Sequence, residues 1–126
     1  MLQKILFLML AGAFGTLLRY LLSSSIQKFS GSDFPMGTLT VNIIGCFVVG
    51  LLFALLEGKV SISEEMRLIL FVGFMGAFTT FSTFIFESNM LINESQYLFA
   101  FSNILLQNIV GIAAVYGGLQ LGKIAS

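Results

Sequence analysis

Four long stretches dominated by apolar residues divide this chain: Ile5–Leu22, Thr38–Leu56, Met66–Phe86 and Tyr97–Leu121. Each is close to the roughly 20 residues that a helix needs to cross a hydrocarbon core about 30 Å thick. Between them lie Ser23–Gly37, which holds the only proline (Pro35), then Glu57–Glu65 and Glu87–Gln96. Those intervals carry most of the charged side chains, as water-facing turns must. The pattern predicts an all-α integral membrane protein, a single membrane domain over residues 1–126 with four spans. An even number of spans returns both termini to the same side.

The third stretch departs from a plain lipid-facing pattern. Between Gly73 and Phe84 it places two glycines, four hydroxyl residues and four phenylalanines. Glycine and β-branched threonine weaken a helix. Interrupted backbone at membrane depth is tolerated only where protein packs around it or where it lines a cavity. This predicts a third span broken mid-membrane, forming the working centre of a pore.

Composition narrows the class. Of 126 residues, 57% are hydrophobic and 10% charged, well under the roughly 25% charged of soluble domains. Six basic and six acidic residues cancel, so no basic footprint points to nucleic acid. The lone cysteine, Cys46, has no partner for an internal disulfide and reads as a small buried hydrophobe. Histidine is absent, which removes the usual general base and the commonest metal ligand. No nucleophile with an activating base is visible, so an enzyme is not expected.

Lys4, the apolar run after it and Ala11-Gly12-Ala13 imitate a short signal peptide. The apolar pattern nevertheless continues through Leu22, and a span is the better reading. Lys4, Lys59, Arg67 and Lys123 fall on the terminal side, against Lys28 and, near that end of the first span, Arg19. The positive-inside rule then favours cytoplasmic termini.

Within the spans a few polar residues carry candidate chemistry. Arg19 is the only charge inside the first span; it either faces a water-filled vestibule or snorkels to the headgroups. Asn42, about one turn into the second span, offers two donors and one acceptor. It serves either as interhelical glue or as a donor to a passing anion. In the third span Phe81 and Phe84 share a face at helical spacing, as do Thr80 and Thr83. Packing alone accounts for most such phenylalanines, but hydroxyls beside the rings, directly after two glycines, favour a pore. An aromatic edge carries partial positive charge, and conduction requires sites that bind weakly enough to release. Carbonyls freed by a break near Gly76–Thr79 would suit a cation, as unwound helices do in transporters. In the fourth span Asn103 and Gln107 share a face and either line a polar track or tie helices together. Gly118 and Gly122 form a GxxxG packing motif.

With these residues assembled, the chain resembles the Fluc family of fluoride channels, also called CrcB proteins. The resemblance covers essentially the whole chain. It rests on Gly12, Gly15 and Arg19-Tyr20, on Gly37-Thr38 and Val41-Asn42-Ile43-Ile44-Gly45, and on Gly73, Gly76 and Thr79-Thr80-Phe81-Ser82-Thr83-Phe84. It implies a fluoride-selective channel in the bacterial plasma membrane that relieves fluoride toxicity by passive efflux. It further implies an antiparallel, dual-topology dimer of four-helix subunits with two pores. Phe81 and Phe84 would then be ring-edge ligands and Asn42 the pore amide. Thr38, Thr80 and Thr83 would line or support the pore, with Arg19 near an aqueous entrance. Gly76 and Thr79 would give backbone carbonyls to a structural Na⁺ at the dimer interface. The chain departs from the family in its fourth span, where Asn103 and Gln107 stand in for a tyrosine and a serine. The family also includes paired, oppositely oriented subunits, so the expected homodimer has a heterodimer as its alternative.

Two other classes share part of the pattern. Small multidrug exporters also have four short spans, but they resemble one another in a first-span glutamate for proton coupling, which this chain lacks. A non-transporting assembly subunit would account for the glycine-rich packing helices and predicts no ion flux.

Overall fold

The structure, a computed structural model, describes residues 1–57 and 62–126. Lys59, one of the basic residues in the orientation argument, lies outside the described residues. Most of the described residues are helical, and four helical stretches are long and apolar enough to cross a membrane: Leu2–Ser30, Met36–Glu57, Glu64–Asn93 and Tyr97–Ala125. We label Leu2–Ser30 α1 and Met36–Glu57 α2. The third stretch comprises α3 (Glu64–Leu68), a π-helical segment (Ile69–Met75), α4 (Gly76–Phe78) and α5 (Ser82–Asn93). The fourth is α6 (Tyr97–Ala125).

The helices outrun the apolar stretches that predicted them. α1 has 29 residues, which rise about 44 Å, and it absorbs the first part of the expected linker Ser23–Gly37. Serine, glutamine and lysine there are polar without opposing helix. The stop comes at Gly31, whose left-handed φ of 58° lets its N–H return to Gln27 O. Gln27 then fastens the short connector: its Nε2 donates to Ser32 O and Phe34 O, and its Oε1 accepts from Gly37 N–H. α5 likewise extends through Glu87 to Asn93, leaving only Glu94–Gln96 as a turn.

The start of α3 is set by Ser63, whose side chain accepts from Met66 N–H in the manner of an N-cap. Arg67, one turn later, donates to Leu56 O at 2.7 Å. This places a cation on a carbonyl at the C-terminal end of α2, where the helix dipole favours it.

α2 and α6 pack most intimately. A Cβ added to Gly118 would run into Phe47 O, and one added to Gly50 would run into Val115 O. Only glycine lets the two backbones come so close, as the GxxxG reading required. The tightly buried centre is small: Val41, Met75 and Phe78, flanked by Leu18, Leu22 and Val48. Most large apolar side chains lie on the outside, the expected inversion for a protein whose surroundings are lipid or another subunit.

Candidate functional site

The regular ladder of the third crossing changes twice within a dozen residues. In the π-helical segment Gly76 N–H reaches back five residues to Phe71 O, a widened turn that often marks functional positions. Thr79 then takes an extended conformation, φ −87° and ψ 160°, at the end of α4. In a continuous helix the Thr80 N–H would bond Gly76 O. Here it bonds Asn42 Oδ1 at 2.8 Å, while Asn42 Nδ2 donates to Thr80 O at 2.9 Å. The Asn42 amide therefore replaces the missing helical partner on both sides of the Thr80 peptide. It is at once the interhelical tie and part of the site.

Beyond this joint, Thr80 is tied to the first turn of α5 through Thr83. Thr80 Oγ1 accepts from Thr83 N–H at 3.3 Å and donates to Thr83 Oγ1 at 3.0 Å. The helix thus begins beside the joint and presents the positive end of its dipole there.

Two cavities meet at Thr80. One, of about 310 Å³, is lined by Asn42, Thr79, Thr80, Phe81, Phe84 and Gln107, together with Gly45 and Cys46. The other, of about 280 Å³, brings Arg19 together with Thr38, Thr80 and Thr83. All the pore residues expected from sequence except Asn103 line one or the other. Asn103 lies fully buried behind Gln107: it accepts from Gln107 Nε2 at 3.4 Å and donates to Ser88 Oγ at 3.0 Å.

The phenylalanine pair is unequal. The rings meet edge to face, with centroids 5.8 Å apart and planes at 70°. Phe84 is 5% exposed and Phe81 73%, because Phe81 stands just ahead of α5 rather than on its packed face.

Arg19 is about three turns from the end of α1 and not near it, as the apolar stretch implied. Its Nη1 lies 3.4 Å from Thr79 O, so the side chain turns inward to the joint instead of following the helix axis to its end.

Gly76 O has lost its Thr80 donor, and Thr79 O is turned out of the helix by the extended ψ. Both are hard oxygen donors of the kind that suits an alkali or alkaline-earth cation. Arg19 already draws a positive group to Thr79 O. Among the described residues no cluster of three or more His, Cys, Asp or Glu could hold a metal. Backbone carbonyls are the donors this region offers.

One further polar residue belongs to this region. As an acid, Glu87 reads as part of a water-facing interval, yet it lies on α5 and its Oε1 accepts from the buried Thr38 hydroxyl at 2.7 Å. Its Oε2 is buried and has no partner among the described residues. The signal was present in the spacing: Glu87 follows Phe84 by three and Thr83 by four, one helix face.

Comparison with known proteins bears directly on this arrangement. A family model described as "CrcB-like protein, Camphor Resistance (CrcB)" matches residues 6–119. The chain is 48% identical over 122 residues to the "Fluoride-specific ion channel FluC" of Desulforapulum autotrophicum, covering 97% of this chain and 98% of the relative. It is 49% identical over 124 residues to the protein so named in Solidesulfovibrio magneticus, covering 98% and 99%. The corresponding protein of Nitrosococcus oceani is 45% identical over 122 residues, covering 97% and 98%.

Proposed function

The chain belongs to the CrcB family, and from that membership and the geometry around Asn42 we propose that it is a fluoride-selective channel. It is a multi-pass membrane protein, and passive fluoride efflux across the plasma membrane is its task. The observation that carries the reading is the Asn42 amide fixed at the joint of the third crossing, in one cavity with Phe81, Phe84 and Gln107. Among the described residues no charged side chain lines that cavity. An entering anion meets the Asn42 and Gln107 side chains, hydroxyls, ring edges and the start of α5. These polarise toward a small anion without trapping it as a lysine would. Arg19, in the adjoining cavity, raises the local anion concentration at an entrance.

The finer architecture follows from the same reading. Two subunits associate antiparallel, with the third crossing broken at mid-membrane in each, and two pores run along the assembly. Gly76 and Thr79 carbonyls of both subunits hold a structural Na⁺ between them; the freed Gly76 oxygen and the outward Thr79 oxygen support this. Like subunits suffice, since one chain supplies Asn42, both rings and the threonines. The fluoride-specific names of the relatives and the lack of an acidic residue in α1 favour a channel over a proton-coupled exporter or a silent assembly subunit.

The test is efflux from liposomes loaded with fluoride or chloride and carrying the purified protein. Rapid fluoride loss with chloride retained is the expected result. Equal retention of both ions by folded protein would overturn the reading.

A further inference from the structure

Both N–H groups of the Asn42 amide are occupied. One donates to Thr80 O at 2.9 Å, the other to Gln107 Oε1 at 3.0 Å. A primary amide has two donor hydrogens, so an anion arriving at Asn42 finds neither free. A ligand role for this amide requires one existing bond to yield.

The orientation of each amide in the chain is fixed from both ends. At one end Thr80 N–H must face an acceptor, which turns Asn42 Oδ1 toward it and Nδ2 toward Gln107. At the other end Ser88 Oγ donates its single hydrogen to Phe84 O at 2.8 Å. Ser88 therefore accepts from Asn103, whose Nδ2 must point at it at 3.0 Å. Asn103 Oδ1 is then left to receive Gln107 Nε2 at 3.4 Å, which leaves Gln107 Oε1 for Asn42. Two independent backbone references, Thr80 N–H and Phe84 O, demand the same polarity.

The bonds differ in how readily they give way. The Asn42–Thr80 pair is a two-point contact to backbone. Gln107 is a side chain with three rotatable bonds, held to Asn103 by the longest contact in the chain. Asn103 is fully buried and Ser88 nearly so, so neither can turn without setting oxygen against oxygen.

We propose that Gln107 sets the fluoride affinity of this pore. Its side-chain oxygen holds the second Asn42 N–H while the ion is absent and yields it when fluoride arrives. Gln107 yields by turning its amide away from Asn42, which frees that N–H to donate to the ion. Asn103 is a positioning residue: it loses its donor in that turn and so opposes it. The proposal rests on the fluoride-pore reading above.

The experiment is fluoride current through single proteins in planar bilayers, measured against fluoride concentration. Gln107→Met and Gln107→Ala both remove the competing oxygen, but only the first preserves volume. Each should lower the half-saturating fluoride concentration roughly fivefold, the value of one neutral hydrogen bond no longer to be broken. Asn103→Leu should lower it roughly twofold, since it removes only the weakest bond. A purely packing role for Gln107 would change assembly or total flux and leave the half-saturating concentration in place. An unchanged or raised value in the Gln107 variants, with the wild type conducting, overturns the proposal and spares the pore reading. A wild type that passes no fluoride overturns both. Should neither variant assemble, Gln107→Asn decides by the same readout, because the shorter amide withdraws its oxygen from Asn42. A fall is expected, and no change overturns the proposal.

Discussion

Replacing Asn42 with alanine strips three hydrogen bonds at once, two of them from the backbone of Thr80. Each buried polar group left unmet costs about 1–3 kcal/mol. Asn42→Ala should therefore lose fluoride flux and thermal stability together. The two rings separate these effects. Phe81 is largely exposed in the chain, so Phe81→Ile should abolish flux with the melting temperature unchanged. Phe84 is packed, so Phe84→Ile should abolish flux and cost about 1–2 kcal/mol as well. Liposome flux and a detergent melt on the same preparations check all three. Unchanged flux in both phenylalanine variants would remove the ring-edge role. At this scale residue type was legible in the sequence and pairing was not. An asparagine and two phenylalanines beside a glycine-threonine run announce polar work in an apolar span. That Asn42 is shared between Thr80 and Gln107 depends on which helices become neighbours, which no local pattern encodes. Glu87 was lost for the opposite reason: a carboxylate reads as solvent-facing until a buried hydroxyl partner is seen.

Elements extend the same lesson. Apolar periodicity located every crossing, yet it ended α1 at Leu22 where the helix continues to Ser30. Hydropathy reports where side chains leave lipid, and helices stop for another reason, here Gly31 in the left-handed region and the Gln27 side chain gathering the connector. The interruption after Phe78 was foreshadowed by Gly73, Gly76 and the threonines, because weak helix formers concentrate where another partner takes over the backbone. Glycines at the α2–α6 contact permit a sharper test. Gly117 and Gly118 are adjacent in sequence but face differently: a Cβ at Gly117 would lie 4.0 Å from the Phe47 ring, ordinary contact, whereas one at Gly118 collides with Phe47 backbone. Gly118→Ala should shift the protein into aggregates on size-exclusion chromatography. Gly117→Ala should elute as wild type and melt slightly higher, since alanine is the better helix former by about 1 kcal/mol. Equal behaviour of the two would show that the close approach is not required.

For the whole molecule, the decisive question is what completes the carbonyl site. A hard cation gathers roughly six oxygens, and Gly76 O with Thr79 O of one chain falls well short. A second chain related by a twofold axis would double the donors and place the ion between subunits. It would also cover part of the apolar exterior that a single chain leaves open. Arg19 sharpens the argument, because its guanidinium stands on Thr79 O in the isolated chain and must withdraw, or share that oxygen, when an ion binds. Association and sodium binding would then be one linked equilibrium. Anything that binds only the dimer stabilises it in proportion to the logarithm of its concentration. In detergent, subunit-labelled protein should be dimeric in sodium chloride and fall apart on exchange into N-methylglucamine chloride of equal ionic strength. Restored sodium should restore the dimer. Arg19→Gln, which removes the competing charge, should shift the sodium midpoint to lower concentration. A dimer indifferent to sodium, in wild type and variant alike, would mean that apolar packing alone holds the subunits, and that the freed carbonyls of Gly76 and Thr79 serve the guanidinium of Arg19 rather than an ion.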